Sequence, residues 1–175
     1  RTREAADILK QLGTPCVIHQ PSYSMLNRWV EEDGLLDTLE GLGVGSIVFS
    51  PLAQGMLTDK YLGGIPEGSR ASQGKSLKSA FINERTITNI KALNAIAGKR
   101  GQTLAQMALA WVLRKGKVTS ALIGASRPEQ VEDCVGALKV LDFSDAELAE
   151  IDSYARESDI NLWAASAERK GPPRK

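Results

Sequence analysis

A short run of β-forming residues, Ile47-Val48-Phe49, ends abruptly at Ser50-Pro51, and a long loop rich in glycine and serine follows it. A buried parallel strand has this pattern when its carboxyl end leads into a functional loop. Ligands of α/β folds bind just beyond the carboxyl ends of such strands. The pattern therefore predicts a binding site at Ser50 and at the backbone amides that follow Pro51.

Two other apolar runs, residues 16–20 and 120–124, also predict strands, beside the one at residues 46–50. Helical periodicity predicts helices at residues 1–12, 33–42, 84–99, 104–115, 128–138 and 145–156. Strands that alternate with helices pair in parallel through right-handed crossovers. The chain is therefore predicted to be α/β. Because all three strands are apolar along their length, we expect both faces of the sheet to be covered.

Three of the predicted helices begin with a capping-box pattern, a Ser or Thr followed three residues later by Glu or Gln. The pairs are Thr103 with Gln106, Ser126 with Glu129, and Ser144 with Glu147. The spacing Gly41-x-Gly43-x-Gly45 is that of a dinucleotide-binding fingerprint, but it precedes a strand instead of joining a strand to a helix. These glycines therefore predict the end of a helix and a turn.

The chain has 175 residues, which is short of the ~250 residues of a typical α/β barrel. A three-stranded parallel sheet has two open edges and a small area, and Arg1 is followed at once by a helical pattern. We therefore expect the chain to be part of a longer protein. One α/β unit is predicted over residues 1–165 and a flexible polar tail over residues 166–175.

The charge and the cysteines narrow the setting in which the chain acts. A net charge of +1 gives no reason to expect a nucleic-acid partner, and no apolar run approaches the ~20 residues of a membrane span. Cys16 and Cys134 are too few for a disulfide framework, which favours a reduced, cytoplasmic environment. No metal site is predicted.

Three residues at strand ends are candidates for a site, each with an ordinary structural alternative. His19 is the only histidine, and its place on a strand favours a core or supporting role over that of a catalytic base. Gln20 could bind a planar amide of a ligand, or cap the strand end. Phe49 could stack on a ligand ring, or pack in the core.

Cationic and small polar residues follow two of the strands. Ser50, Lys60 and Arg70 lie in the long loop and could bind a phosphate-bearing ligand, or simply be exposed to solvent. Ser126 and Arg127 open a helix directly after a strand. A helix N-terminus attracts anions, and the added arginine favours a phosphate, although Ser126 could equally serve as a helix cap.

Four segments together resemble the C-terminal half of an aldo-keto reductase. They are residues 18–28, residues 49–55 with Lys60-Tyr61, Ile65-Pro66 with Ser69-Arg70, and residues 122–130. The resemblance runs from Leu9 to about Trp163. The chain most resembles the branch of the family that includes bacterial reductases of L-glyceraldehyde 3-phosphate and the β subunits of potassium channels. That family forms a (β/α)8 TIM barrel, so the resemblance implies a partial barrel whose strands are the sixth to the eighth.

The family binds NADP(H) across the carboxyl ends of its strands, and the resemblance implies a role for each matching residue. Gln20 would bind the nicotinamide carboxamide, and Phe49 would stack on the nicotinamide ring. The pyrophosphate would lie along Ser50, Leu52, Gln54 and Lys60, beneath a loop formed by residues 56–75. The adenosine 2′-phosphate end would be held by Arg70, Gly124, Ser126, Arg127 and Gln130. Asp133 would contact the adenine, whereas Cys134 replaces an asparagine whose amide it cannot supply.

The resemblance implies an NADPH-dependent enzyme that reduces small aldehydes, such as L-glyceraldehyde 3-phosphate or methylglyoxal-like compounds, to alcohols. The family's catalytic Asp, Tyr, Lys and His come from the first to fourth strands, so no catalytic residue is assigned in this chain. We expect the chain alone to be inactive. One alternative is an NADP(H)-binding regulatory subunit with little turnover, and another is a catalytically incomplete chain that binds only nucleotide or a partner half-barrel. The oligomeric state, a homo-oligomer included, is left open.

Overall fold

Helices and strands alternate along the chain in the computed structural model, which describes residues 1–67, 72 and 81–155. The elements are α1 (Thr2–Gln11), β1 (Ile18–His19), α2 (Trp29–Glu32), α3 (Leu35–Leu42), β2 (Gly45–Phe49), α4 (Glu84–Lys99), α5 (Leu104–Leu113), β3 (Ser120–Leu122), α6 (Pro128–Gly136) and α7 (Asp145–Ala155). Short 3-10 turns lie at residues 53–55, 59–61, 114–116 and 137–139. The predicted tail and the middle of the long loop lie outside the described residues.

The three strands form one parallel sheet in the order β1-β2-β3. Ile18 of β1 pairs with Gly45 on one side of the central strand β2, and Leu122 of β3 pairs with Phe49 on its other side. The predicted parallel pairing is therefore confirmed. The outer strands are shorter than predicted: β1 has two residues and β3 has three.

Only the central strand is well buried. Ser46 and Val48 on one face of β2 are completely buried, whereas Ile47 and Phe49 on the opposite face are half-buried. Ile18 and Leu122 in the outer strands are 50% and 52% exposed. The predictions that the first strand is buried and that both faces of the sheet are covered are wrong for the described residues. The outer strands are exposed because each has a neighbour on one side only, and the face of β2 that carries Ile47 and Phe49 is covered only in part.

Helices α4 and α5 supply much of the core through the inward faces that their periodicity predicts. The boundaries of α4 are as predicted, whereas α5 ends at Leu113, two residues before its predicted end. Ile90, Leu93 and Ile96 of α4 are buried, and so are Met107 and Trp111 of α5. Helix α7 packs on α4 and is linked to the loop after β1 by an ion pair of 2.6 Å between Arg28 and Asp152. None of the helices in the described ranges has both the length and the apolar character needed to cross a membrane.

Two arginines, one just before α2 and one just after α5, lie close to the ring of Trp111. The guanidinium carbons of Arg28 and Arg114 lie 4.4 and 3.4 Å from the centroid of its ring. Arg114 also donates to Tyr23 Oη at 2.9 Å and to Glu31 at 2.6 Å, and Tyr23 donates to Glu31 at 2.7 Å. Burial raises the pKa of Tyr23, so its hydroxyl keeps its proton and acts as a donor.

Two of the three predicted capping boxes are present. Thr103 and Gln106 exchange both hydrogen bonds at the start of α5, and Ser144 and Glu147 do the same at the start of α7. The backbone N–H of Ser144 holds the pKa of Glu147 below its ordinary value, and the nearby Arg100 lowers it further.

The third predicted capping box, Ser126 with Glu129, is wrong. Pro128 is the first helical residue, so Arg127 becomes the N-cap, and its side chain makes no capping hydrogen bond. Gln130 replaces Glu129 as the partner of Ser126, and its Oε1 accepts from the Ser126 backbone N–H at 2.8 Å. The glycine prediction is confirmed, because Gly43 ends α3 in the left-handed region with φ of 66°.

Candidate functional site

The carboxyl ends of the three strands meet at one edge of the sheet, where most of the predicted site residues lie. The chain continues to pair beyond β1, since Ser22 forms a parallel bridge with Phe49. Phe49 N donates to Pro21 O at 3.0 Å, and Tyr23 N donates to Phe49 O at 3.2 Å. These bonds fix the backbone of Phe49. They bring Gln20, Phe49 and the end of β3 to the same edge.

Ser22 is the buried anchor of the segment after β1. It is 4% exposed, and its hydroxyl oxygen accepts from Asn27 Nδ2 at 3.2 Å and from Trp29 Nε1 at 3.1 Å. Gln20, two residues earlier, is exposed. The hydrogen bonds among the described residues include none from its side chain to cap the strand end, so its amide is accessible to a ligand.

The backbone after β2 turns sharply through three residues that are not glycine. Ser50, Ala53 and Gln54 have φ of 56°, 46° and 60°. The left-handed region costs an L-residue roughly 1–2 kcal/mol, and such strain is concentrated at functional sites. Two backbone hydrogen bonds support the turn, from Ala53 N to Ser50 O at 3.0 Å and from Leu57 N to Leu52 O at 3.2 Å. The sequence carries no glycine signal at these three positions, so residue types alone do not predict this turn.

The side chains of this loop divide into anchors and accessible groups. Met56 and Tyr61 are fully buried, and Leu52 packs against the core from a half-buried position. Gln54 Oε1 is buried and has no hydrogen-bond partner among the described residues. Lys60 is exposed, with its Nζ 5.9 Å from the centroid of the Tyr61 ring. Arg70 lies outside the described residues.

The turn between β3 and α6 is exposed, and it leads directly into the N-terminus of α6. Gly124, Ser126 and Arg127 are all exposed, and Gln130 turns back so that its Oε1 accepts from the backbone and the hydroxyl of Ser126 at 2.8 and 3.2 Å. No side chain among the described residues caps the first backbone amides of α6. A helix end of this kind, beside an arginine, favours an anion.

Asp133 is tied to the neighbouring helix. Its carboxylate accepts from Gln106 Nε2 at 2.8 Å and from Thr103 Oγ1 at 3.2 Å, and its backbone oxygen accepts from Gln106 at 3.0 Å. Cys134 beside it is half-buried, and burial raises the pKa of its thiol. The capping box of α5 was predicted, but the contact with Asp133 joins segments far apart in the chain and was not.

His19 lies on β1 and is half-buried, with its Nδ1 buried and without a hydrogen-bond partner among the described residues. Burial lowers the pKa of this imidazole, so it is neutral at pH 7. This environment suits a supporting residue of the sheet.

The edge as a whole offers an accessible amide, an aromatic ring, a cation and free helix amides. Such a set suits a nucleotide with a planar amide at one end and phosphate at the other.

Residues 1–156 match the sequence model of a known family, described as "Aldo/keto reductase family". The chain is 49% identical over 173 residues to the L-glyceraldehyde 3-phosphate reductases of Escherichia coli K12 and of Escherichia coli O157:H7. Each match covers 97% of this chain and 50% of the relative. The chain therefore spans about half the length of these curated relatives.

A solved structure, the glycerol dehydrogenase of Gluconobacter oxydans, superposes with a TM-score of 0.67 at 23% identity. The match covers 98% of this chain and 49% of the dehydrogenase chain. At that identity the likeness shows the fold alone, and it confirms the predicted α/β class as about half of a TIM barrel.

Proposed function

The chain belongs to the aldo/keto reductase family, and from this premise we propose that it forms the cofactor-binding part of an NADPH-dependent reductase of small aldehydes. The proposal is carried by the 49% identity with two L-glyceraldehyde 3-phosphate reductases. The match extends over 97% of the chain and therefore includes nearly all of the residues at the site. L-Glyceraldehyde 3-phosphate and methylglyoxal are therefore the first substrates to test.

The nicotinamide end of the cofactor lies at the ends of the first two strands in this proposal. Gln20 is exposed there, and its amide both donates to and accepts from the carboxamide of the cofactor. Phe49 offers the face of its ring, and its backbone is held on both sides by Pro21 and Tyr23. When bound, the cofactor supplies a hydride to the carbonyl carbon of the aldehyde.

The pyrophosphate lies along the strained loop after Phe49. The exposed Lys60 provides donors and a positive charge for it, whereas the amides of Ala53, Gly55 and Leu57 already donate within the turn. A carboxamide oxygen cannot donate to a phosphate, so we assign Gln54 Nε2 to the phosphate. Its Oε1 is buried and lacks a partner among the described residues, so we assign only the nitrogen to the cofactor.

The 2′-phosphate end lies at the N-terminus of α6. Gly124 leaves the approach open, since no atom of the described residues lies within 4 Å of the position that a Cβ would take there. Ser126 and Arg127 supply a hydroxyl and a guanidinium, and the helix dipole adds to their attraction for phosphate. Gln130 fixes the turn through its bonds to Ser126. Arg70 belongs to this group by the family resemblance.

The chain's residues in this proposal bind and orient the cofactor, and none of them is assigned to proton transfer. We therefore expect the 175-residue chain to bind NADPH without reducing an aldehyde. The cytoplasm remains the proposed location, on the grounds of cysteine usage.

Turnover tests the enzyme proposal. The protein would be made in the longest form that its gene encodes, and oxidation of NADPH would be followed spectrophotometrically with L-glyceraldehyde 3-phosphate and with methylglyoxal. We expect oxidation that depends on the aldehyde. Tight NADPH binding without turnover would support a regulatory subunit instead, and absence of NADPH binding would overturn both readings.

A further inference from the structure

We propose that Asp133 is a positioning residue, which fixes α6 against α5 and thereby holds Ser126 and Arg127 in place, and that it is not a ligand of the adenine. The inference rests on the proposed function, because it concerns the 2′-phosphate end of the same cofactor site. It goes against the adenine contact that the family resemblance implies.

Both carboxylate oxygens of Asp133 are already engaged by α5. Oδ1 accepts from Gln106 Nε2 at 2.8 Å and from Thr103 Oγ1 at 3.3 Å, and Oδ2 accepts from Thr103 Oγ1 at 3.2 Å. The carboxylate also lies at the N-terminal end of α5, where the helix dipole favours a negative charge. A short side chain with these bonds is poorly placed to reach a base as well.

Gln106 is the centre of the junction between the two helices. Its Oε1 accepts from Thr103 N at 3.2 Å within the capping box of α5. Its Nε2 donates to both the carboxylate and the backbone oxygen of Asp133, at 2.8 and 3.0 Å. One amide thus joins the start of α5 to the backbone of α6.

Gly136 provides the space that this amide occupies. A Cβ at Gly136 would lie 2.5 Å from Gln106 Nε2 and 3.2 Å from its Cδ. Any larger residue at this position would push the amide away from Asp133. The three residues therefore form one close-fitting contact between α5 and α6.

A shift at this contact reaches the N-terminus of α6 because the helix is short and stiff. Asp133 lies about 8 Å along the helix axis from Pro128. Gln130, on the same helix, holds the turn at Ser126 by two hydrogen bonds. A displacement of α6 on α5 would therefore move Ser126 and Arg127 together.

Two variants separate positioning from direct contact. Gln106→Glu keeps the acceptor of the capping box but replaces the donor to Asp133 with an acceptor. Asp133→Asn removes the charge. Dissociation constants would be measured for NADPH, for NADH and for the hypoxanthine analogue of NADPH, in which an oxygen replaces the 6-amino group of the adenine. Ser144→Ala, which breaks the capping box of α7 and leaves α6 untouched, is the matched control for stability.

If the inference is right, both variants weaken NADPH binding by about 2- to 30-fold and weaken NADH binding less. The ratio of NADPH affinity to that of its hypoxanthine analogue stays at the wild-type value. The Ser144→Ala protein unfolds at a lower temperature but binds NADPH as the wild type does.

Two results would overturn it. Loss of adenine preference in Asp133→Asn alone would make the carboxylate a direct ligand of the base. A lower unfolding temperature with unchanged NADPH affinity in both variants would make the junction purely structural. Wild-type protein that fails to bind NADPH would instead overturn the proposed function, and this inference with it.

Discussion

Arg127 stands exposed at the N-cap of α6, beside helix amides that have no side-chain cap. We expect Arg127→Ala to weaken NADPH binding by about 1–3 kcal/mol and NADH binding much less, because only NADPH carries the phosphate that the guanidinium would meet. Isothermal titration with both cofactors checks this. Lys139→Ala removes an exposed cation just beyond the other end of α6 and serves as the control. Equal weakening of both cofactors would contradict a role in 2′-phosphate binding.

His19 gives the protein a pH dependence that can be assigned to one residue, because it is the only histidine. Burial lowers its pKa in the folded chain, whereas the unfolded chain binds a proton below pH about 6.5. Unfolding therefore takes up a proton in that range. The free energy of unfolding should fall as the pH drops below about 6.5 and stay level just above it.

Urea unfolding of the wild type and of His19→Gln between pH about 7.5 and about 5.5 measures this effect. The neutral glutamine removes the proton uptake, so the stability of the variant relative to wild type should rise as the pH falls. A difference that is constant over the whole range would show that the folded chain protonates His19 normally.

Single residues could be predicted from the sequence only where their structural role is local. The helix end at Gly43 and the capping box of Thr103 with Gln106 depend on neighbours three or four positions away, and both were predicted. The positive φ of Ala53 and Gln54 depends on how the loop packs, and the bond from Gln106 to Asp133 joins two helices. Neither leaves a signal in the residue types themselves.

Two glycines in helices should respond in opposite ways to the same substitution. No atom in the described part of the chain lies within 4 Å of the position that a Cβ would take at Gly98 in α4, so Gly98→Ala should stabilise the chain by about 0.5–1 kcal/mol. Gly136→Ala should destabilise it by about 1 kcal/mol, because the new methyl group would displace the amide of Gln106 from Asp133.

Thermal or urea unfolding of the two variants beside the wild type checks the pair. Gly98→Ala is the matched control for the gain in helix propensity. A Gly136→Ala protein that is as stabilised as Gly98→Ala would show that the amide can move aside without cost. The close contact between α5 and α6 would then contribute nothing measurable to the free energy of unfolding.

At the scale of elements, the long helices were predicted well and the outer strands poorly. Helix α4 spans Glu84–Lys99, as its period of apolar residues indicates, because sixteen residues repeat that signal several times. A strand of two or three residues carries almost no period. The apolar run around Ile18 predicted a buried strand of five residues, whereas pairing on one side only leaves two paired residues and an exposed side chain.

At the scale of the whole molecule, the described residues leave apolar side chains exposed on both sides of the sheet. Leu12 and Val17 at the β1 side are 72% and 69% exposed, and Leu122 and Val135 at the β3 side are 52% and 58% exposed. We expect the 175-residue chain made alone to self-associate, since unpaired strand edges and apolar surface favour pairing between copies. Light scattering over a concentration series measures this.

A charge at the β1 side should reduce the association. Val17→Lys places a lysine beside the unpaired side of β1, which is how natural edge strands block pairing. Ile65→Lys changes an equally apolar and 41% exposed residue of the long loop, and is the control. If both variants lower the association to the same extent, the effect is one of net charge, and the strand edge is not the contact.

The sequential order of the strands has a consequence for the time course of folding. The segment between β1 and β2 is far shorter than the one between β2 and β3, and the difference costs on the order of 1 kcal/mol in loop-closure entropy. The β1–β2 pair should therefore form early and the β2–β3 pair late. Mutations at Ile18, which pairs with β2 at Gly45, and at Ala121, which pairs with β2 at Val48, would then slow folding and speed unfolding, respectively. On this order, the site proposed for the nicotinamide forms before the site proposed for the 2′-phosphate.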